Sequence, residues 1–167
     1  MNYQKKQNSS KQFFIDYNNK LSNILKKEHF VILEKITKTL EKKIKLKNKI
    51  FVCGNGGSAS VANHFLCDFN KGIKQSSNKK LYPKVLSLNN SIELITAISN
   101  DINYHQVFNQ QLENYSESGD VLVIISCSGN SKNIINAVKY AIKNKLNIIS
   151  FIGFGNNKFI KSSSKHY

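Results

Sequence analysis

Four short apolar runs, each separated from the next by a stretch of helical periodicity, narrow the fold of this chain more than any other feature. They are Lys49 to Cys53 (KIFVC), Lys84 to Leu88, Val121 to Ser126 (VLVIIS) and Asn147 to Ile152. Strands that are apolar nearly throughout are buried on both faces, as happens in parallel sheets covered by helices. The periodicity predicts helices from Ser58, at Ser91 to Ser99, at His105 to Tyr115 and at Lys132 to Lys143. The expected class is therefore α/β, with helices on both faces of a parallel sheet. The polar stretch Gly72 to Pro83, with Ser76, Ser77, Asn78 and the single proline, predicts a surface loop.

Two amphipathic helices are predicted ahead of the first strand. One runs from Ser10 to about His29 on Phe13, Phe14, Tyr17, Leu21 and Leu25, the other from Val31 to Leu46 on Leu33, Ile36, Leu40 and Ile44. Such faces have to be buried on the sheet or on another subunit. With 167 residues the chain supports one main core, so it divides into an N-terminal helical region, 1–48, and one domain, 49–167.

The formal charge of +15 raises nucleic acid as a partner, but every cation is lysine and arginine is absent. Arginine is the residue suited to bidentate recognition of phosphate and guanine, so the lysines read as solvated helix faces and nucleic acid is not expected. No apolar run reaches the roughly 20 residues of a membrane span, and the N-terminus lacks a signal-peptide core, so no membrane partner is expected. Cys53, Cys67 and Cys127 are odd in number and have no C-x-x-C spacing, which fits reduced thiols in the cytoplasm.

Two strand-to-helix turns carry chemistry. The first, Gly54, Asn55, Gly56, Gly57, Ser58, Ala59, lets the backbone approach a ligand and presents the free N–H groups of a helix N-terminus to an anion. It lacks the spacing of a dinucleotide fingerprint and the ending of a P-loop. The second, Ser126, Cys127, Ser128, Gly129, Asn130, Ser131, gathers three hydroxyls around another helix N-terminus, which suits a phosphate monoester. Taken singly, the first also reads as a plain glycine turn and the second as a turn with Ser131 as N-cap. In an open parallel sheet ligands bind beyond the strand ends, so both turns can face one crevice. His64 and Asp68, four residues apart on one helix face, read either as a two-ligand metal site or as ordinary helix residues. Cys67 reads as a small hydrophobe.

Three strings in order, CGNGGSASVANHFLCDFNKG (Cys53 to Gly72), SND (Ser99 to Asp101) and SCSGNS (Ser126 to Ser131), resemble the sugar isomerase (SIS) family and, within it, the phosphoheptose isomerases. The likeness runs from the N-terminal helices to about Ile152. It implies a flavodoxin-like three-layer α/β/α sandwich preceded by helices. It also implies an aldose–ketose isomerase that converts sedoheptulose 7-phosphate to D-glycero-D-manno-heptose 7-phosphate for cell-surface heptose (lipopolysaccharide precursor) synthesis. By resemblance Asn55, Gly56, Gly57 and Ser58 contact the sugar phosphate, Asn100 and Asp101 hold sugar hydroxyls, and Ser126, Cys127, Ser128 and Ser131 cradle the phosphate. The family often has threonine at the Cys127 position. His64 and Asp68 match a histidine and a glutamate that bind zinc, the glutamate also moving protons, so Asp68 is the expected acid–base residue with His64 its polarising partner. The family continues with a further strand and helix that supply a glutamine and a histidine, elements missing here; His166 stands too early to replace that histidine. The resemblance also implies a homo-oligomer, tetramer or dimer, with active sites between subunits. The alternative implied function is a non-catalytic SIS module that binds a sugar phosphate or a protein, like the SIS factor that associates with the bacterial replication initiator.

Overall fold

Each of the four apolar runs forms a strand in the computed structural model, which describes residues 9–24 and 27–154. β1 spans Lys49–Gly54, β2 Lys84–Ser87, β3 Val121–Ser126 and β4 Asn147–Ile152. All pair in parallel, in the order β2-β1-β3-β4. Chain order is thus broken between β1 and β3, where the sheet grows first to one side of β1 and then to the other. Because parallel crossovers are right-handed, this reversal puts the helix that follows β1 on one face and the helices that follow β2 and β3 on the other. The three-layer α/β/α arrangement with flavodoxin-like strand order follows.

Side-chain alternation along the strands builds two cores. Ile50 and Val52 of β1, with Val121 and Val123 of β3, face a cluster completed by Ala62 and by Ile36, Leu40 and Ile44. Phe51 and Cys53, with Leu122 and Ile124, face the other, completed by Leu88, Val107, Phe108, Leu112, Ile134, Ala137, Val138 and Ala141. These strand residues are fully buried. At about 25 cal/mol per Å2 of apolar area, burial on both faces drives the sheet to form.

The helices are α1, Ser10–Ile24; α2, Lys27–Lys45; α3, Gly57–Cys67; a short α4, Lys74–Ser76; α5, Ile92–Asp101; α6, Asn109–Tyr115; and α7, Lys132–Lys143. The described residues divide into two compact units after Lys35. In the first, Phe13 of α1 stacks on Tyr17 at 6.1 Å and meets Phe14 edge-on, while Phe14, Tyr17 and Leu21 are exposed. In the second, the four-residue spacing of Ile36, Leu40 and Ile44 aims one stripe of α2 into the core. No helix among the described residues is long and apolar enough to cross a membrane.

α1 is described to Ile24 and α2 from Lys27, with Leu25 outside the described residues. Two sequence expectations need correction. Residues 105–115 are not one helix: a single 3-10 turn, Tyr104–Gln106, precedes α6, and the link lets Val107 and Phe108 enter the core. Gly72 to Pro83 is not all loop, because α3 continues through a wide π turn, Asp68–Ile73, into α4. Tertiary contacts hold that turn. Phe65 stacks on Phe69 at 4.0 Å, and the Asn70 amide donates to Val85 O (2.9 Å) and accepts from Val85 N (3.0 Å). Asn70 thereby occupies the open edge of β2, which otherwise presents unpaired backbone groups. His166 and the rest of residues 155–167 lie outside the described residues.

Candidate functional site

The first turn begins where β1 meets α3 with no room for a side chain. A Cβ on Gly54 would lie 2.7 Å from the carbonyl carbon, oxygen and Cβ of Ser58. Asn89, just beyond β2, grips the same glycine, accepting from its N–H at 3.0 Å and donating to its carbonyl at 2.9 Å. Gly56 then takes φ +56 and ψ −125, a region that only glycine enters readily. Ser58 N donates to Asn55 O and Ala59 N to Gly56 O, each at 3.0 Å, which winds the first turn of α3. Among the described residues no backbone acceptor meets the N–H groups of Gly56 and Gly57, so they remain available to an anion, with the positive end of the helix dipole behind them.

The second turn leaves β3 and opens α7. The Ser126 hydroxyl accepts from Gly129 N at 3.0 Å and the Ser128 hydroxyl from Asn130 N at 3.2 Å, with Gly129 at φ +69. A hydroxyl that accepts in this way still has its own proton to donate. Ser131 is the N-cap of α7, yet its side chain makes no capping bond, unlike Ser91, which accepts from Leu94 N at the start of α5. Three hydroxyls thus stand at one helix N-terminus, donors of the kind that suit a phosphate. The Cys127 thiol is exposed at the tip.

Gly54 pairs with Ile125 across the sheet, so the two turns emerge side by side from neighbouring strands at the β1/β3 reversal. That switch point is where open α/β sheets place ligands. A side-chain network joins the turns. Asn55 and Asn133 form a reciprocal amide pair with both bonds at 2.9 Å, and the Tyr104 hydroxyl donates to Asn55 Oδ1 at 2.9 Å. Asn133 is 1% exposed. Sequence alone does not single out Tyr104, Asn133 or Asn89, since each meets the first turn from a position at least 35 residues away.

Asn100 and Asp101 close α5, both exposed, with Asn100 Nδ2 donating to Asp101 Oδ1 at 2.8 Å. They stand a few residues before Tyr104 and thus on the chain segment that reaches the first turn. His64 and Asp68 meet as predicted from their spacing, with Nε2 and Oδ2 3.3 Å apart and side chains 76% and 63% exposed. At about 1.5 Å per residue, His64 lies roughly 10 Å along the helix from Gly57. The pair supplies two donors where a zinc ion takes four ligands. No group of three His, Cys, Asp or Glu suited to a metal occurs among the described residues, so His64 and Asp68 do not by themselves complete a zinc site. Burial pushes the Cys53 thiol, beneath the first turn, up to about 12, which leaves it inert.

Comparison with known proteins decides what this arrangement belongs to. The SIS domain family profile matches residues 12–153, from the N-terminal helix through β4. The chain belongs to the SIS domain family. Phosphoheptose isomerase from Helicobacter pylori is 36% identical to this SIS chain over 147 residues, covering 80% of the chain and 75% of that protein. The phosphoheptose isomerase of Colwellia psychrerythraea is 42% identical over 107 residues, covering 64% and 53%. Among solved structures, phosphoheptose isomerase GmhA from Neisseria gonorrhoeae superposes with a TM-score of 0.75 at 29% identity, covering 94% of this chain and 84% of that one. Within the SIS family the chain is therefore of phosphoheptose isomerase type. It spans about half to three quarters of the length of the curated relatives it matches.

Proposed function

We propose that this SIS chain acts as a phosphosugar isomerase, interconverting sedoheptulose 7-phosphate and D-glycero-D-manno-heptose 7-phosphate. The observation that carries the reading is the pairing of two anion-accepting turns, Gly54 to Ser58 and Ser126 to Ser131, on adjacent strands at the β1/β3 reversal. In this reading the hydroxyls of Ser126, Ser128 and Ser131 and the N–H groups of Gly56 and Gly57 hold the phosphate. Cys127 contributes backbone and Ser58 a further hydroxyl, while Asn100 and Asp101 take hydroxyls of the sugar.

In this reading the C1–C2 end of the sugar lies at the His64–Asp68 pair, whose imidazole and carboxylate are 3.3 Å apart. Asp68 then takes a proton from C1 while O2 gains one, which gives the 1,2-enediol. Return of the proton to C2 and loss of the O1 proton yield an aldehyde at C1 and a hydroxyl at C2. In the same reading His64, 3.3 Å from Asp68, passes the proton between O1 and O2. Zinc would use this same pair as half of its ligand set, and polarising the carbonyl oxygen is what it supplies when bound; the proton steps here are assigned to protein groups.

The same reading makes the chain a cytoplasmic homo-oligomer, tetramer or dimer. The exposed Phe14, Tyr17 and Leu21 of α1 and the free thiols of Cys67 and Cys127 support it. A second reading, a SIS module that binds sugar phosphate without turnover, is favoured by Asp68, whose short carboxylate is engaged by His64. Incubation with sedoheptulose 7-phosphate in D2O, with and without zinc, separates the two. Isomerisation with deuterium uptake supports the enzyme, and saturable binding without exchange supports the module. No binding at millimolar substrate refutes both.

A further inference from the structure

We propose that Tyr104 is a positioning residue of this site, its hydroxyl locking the Asn55 turn in register with the N-terminus of α7. The inference rests on the phosphosugar reading of the two turns and adds a residue that does not itself carry the phosphate.

The hydrogen-bond directions in the network are forced. The N–H of Ile134 is an unambiguous donor, and it donates to Asn133 Oδ1 at 2.9 Å. This fixes the Asn133 amide with its oxygen toward the backbone and toward Asn55 Nδ2, and its Nδ2 toward Asn55 Oδ1. The Asn55 amide is fixed in turn, and Tyr104 must be the donor in the 2.9 Å contact with Asn55 Oδ1. Both lone-pair sites of that oxygen are then used, as are those of Asn133 Oδ1. The Asn55 side chain has no acceptor left for a sugar hydroxyl. Its role is to tie the first turn to α7 while its backbone neighbours face the ligand.

Tyr104 is the movable member. Asn133 is 1% exposed and held within α7, whereas Tyr104 is 48% exposed on a 3-10 turn that Asn136 steadies by donating to His105 O at 3.1 Å. One hydroxyl thus couples three segments separated by 49 and 78 residues in sequence. When it is missing, Asn55 keeps the amide pair but loses the bond that sets its tilt, so the Gly56 and Gly57 N–H groups lose their aim. Displacements of about 1 Å at such groups are costly to a bound ligand.

The test compares Tyr104→Phe with the unaltered full chain by amide hydrogen exchange and by titration with sedoheptulose 7-phosphate. Ser58 and Ala59, whose amides close the first turn, should exchange about tenfold faster, while Val123 in β3 exchanges as before. Affinity should fall about tenfold with the melting temperature within about 2 °C. In an Asn55→Ala background, Tyr104→Phe should have no further effect on affinity. Unchanged exchange at Ser58 and Ala59, acceleration throughout the sheet, or additive losses in the double variant would overturn the assignment. If the unaltered chain takes up no sedoheptulose 7-phosphate, the phosphosugar reading fails, and the exchange measurement still decides whether Tyr104 orders the turn.

Discussion

Replacing Gly54 by alanine tests the idea that α3 starts in contact with the end of β1. The added Cβ would sit 2.7 Å from three atoms of Ser58, whereas ordinary contact begins near 3.4 Å, so the helix start must retreat by about 0.7 Å. It cannot retreat freely, because Ala62 of α3 is fully buried against Ile50 and Val52 and Asn89 holds Gly54 by two bonds. Overpacking of this kind costs about 1–3 kcal/mol. For a chain of this size each kcal/mol lowers the melting temperature by about 2–4 °C, so a loss of roughly 2–12 °C is expected. Gly57→Ala is the control: nothing lies within 4 Å of its added Cβ and its φ is not positive, so its melting temperature should stay level or rise slightly. Thermal unfolding by circular dichroism reads both. Equal melting temperatures for Gly54→Ala and the unaltered chain would refute the close approach, and equal losses in both variants would show that glycine flexibility, not space, sets the effect.

Ser131→Ala should leave stability within about 0.3 kcal/mol and weaken sugar-phosphate binding, while Ser91→Ala should cost about 1 kcal/mol, since only Ser91 caps its helix; urea unfolding of both variants discriminates, and a destabilised Ser131→Ala would show that its hydroxyl serves the fold. Asp120, 2% exposed, accepts from Lys49 N at 2.8 Å and Glu117 N at 2.9 Å, so Asp120→Ala strands two donors and should cost about 2–4 kcal/mol in the same assay. Iodoacetamide at pH 8 should label Cys67 and Cys127 in the native chain and all three thiols only in denaturant, read by intact mass. Because burial raises the Cys53 pKa from 9.0 to about 12, the stability it contributes is complete below pH 9 and is lost as pH rises toward 12, so Cys53→Ala should flatten the alkaline limb of the stability curve.

Much of the fold was legible because its local and global preferences agree. β3 and β4 occupy the predicted ranges, Val121–Ser126 and Asn147–Ile152, and α7 the predicted Lys132–Lys143. A strand buried on both faces needs an unbroken apolar run, and the helix that covers it needs a stripe; both patterns are written within a few residues. The two strand-to-helix turns were legible for the same reason, since glycines and serines at such a junction act locally. Expectations failed where distant partners override local preference. The π turn and α4 form within a polar stretch because Asn70 finds the backbone of Val85 and Phe69 finds Phe65.

The amino-acid sequence by itself determined the four strands, α7, the position of the two turns and the four-residue spacing of His64 and Asp68. Only the tertiary structure decided that β1 and β3 are neighbours, and hence that the two turns emerge side by side. It alone placed Tyr104 and Asn133 on Asn55. The physical reason is the range of the forces: burial periodicity and helix spacing are properties of adjacent residues, whereas a hydrogen bond across 78 positions exists only after the whole sheet has brought its ends together.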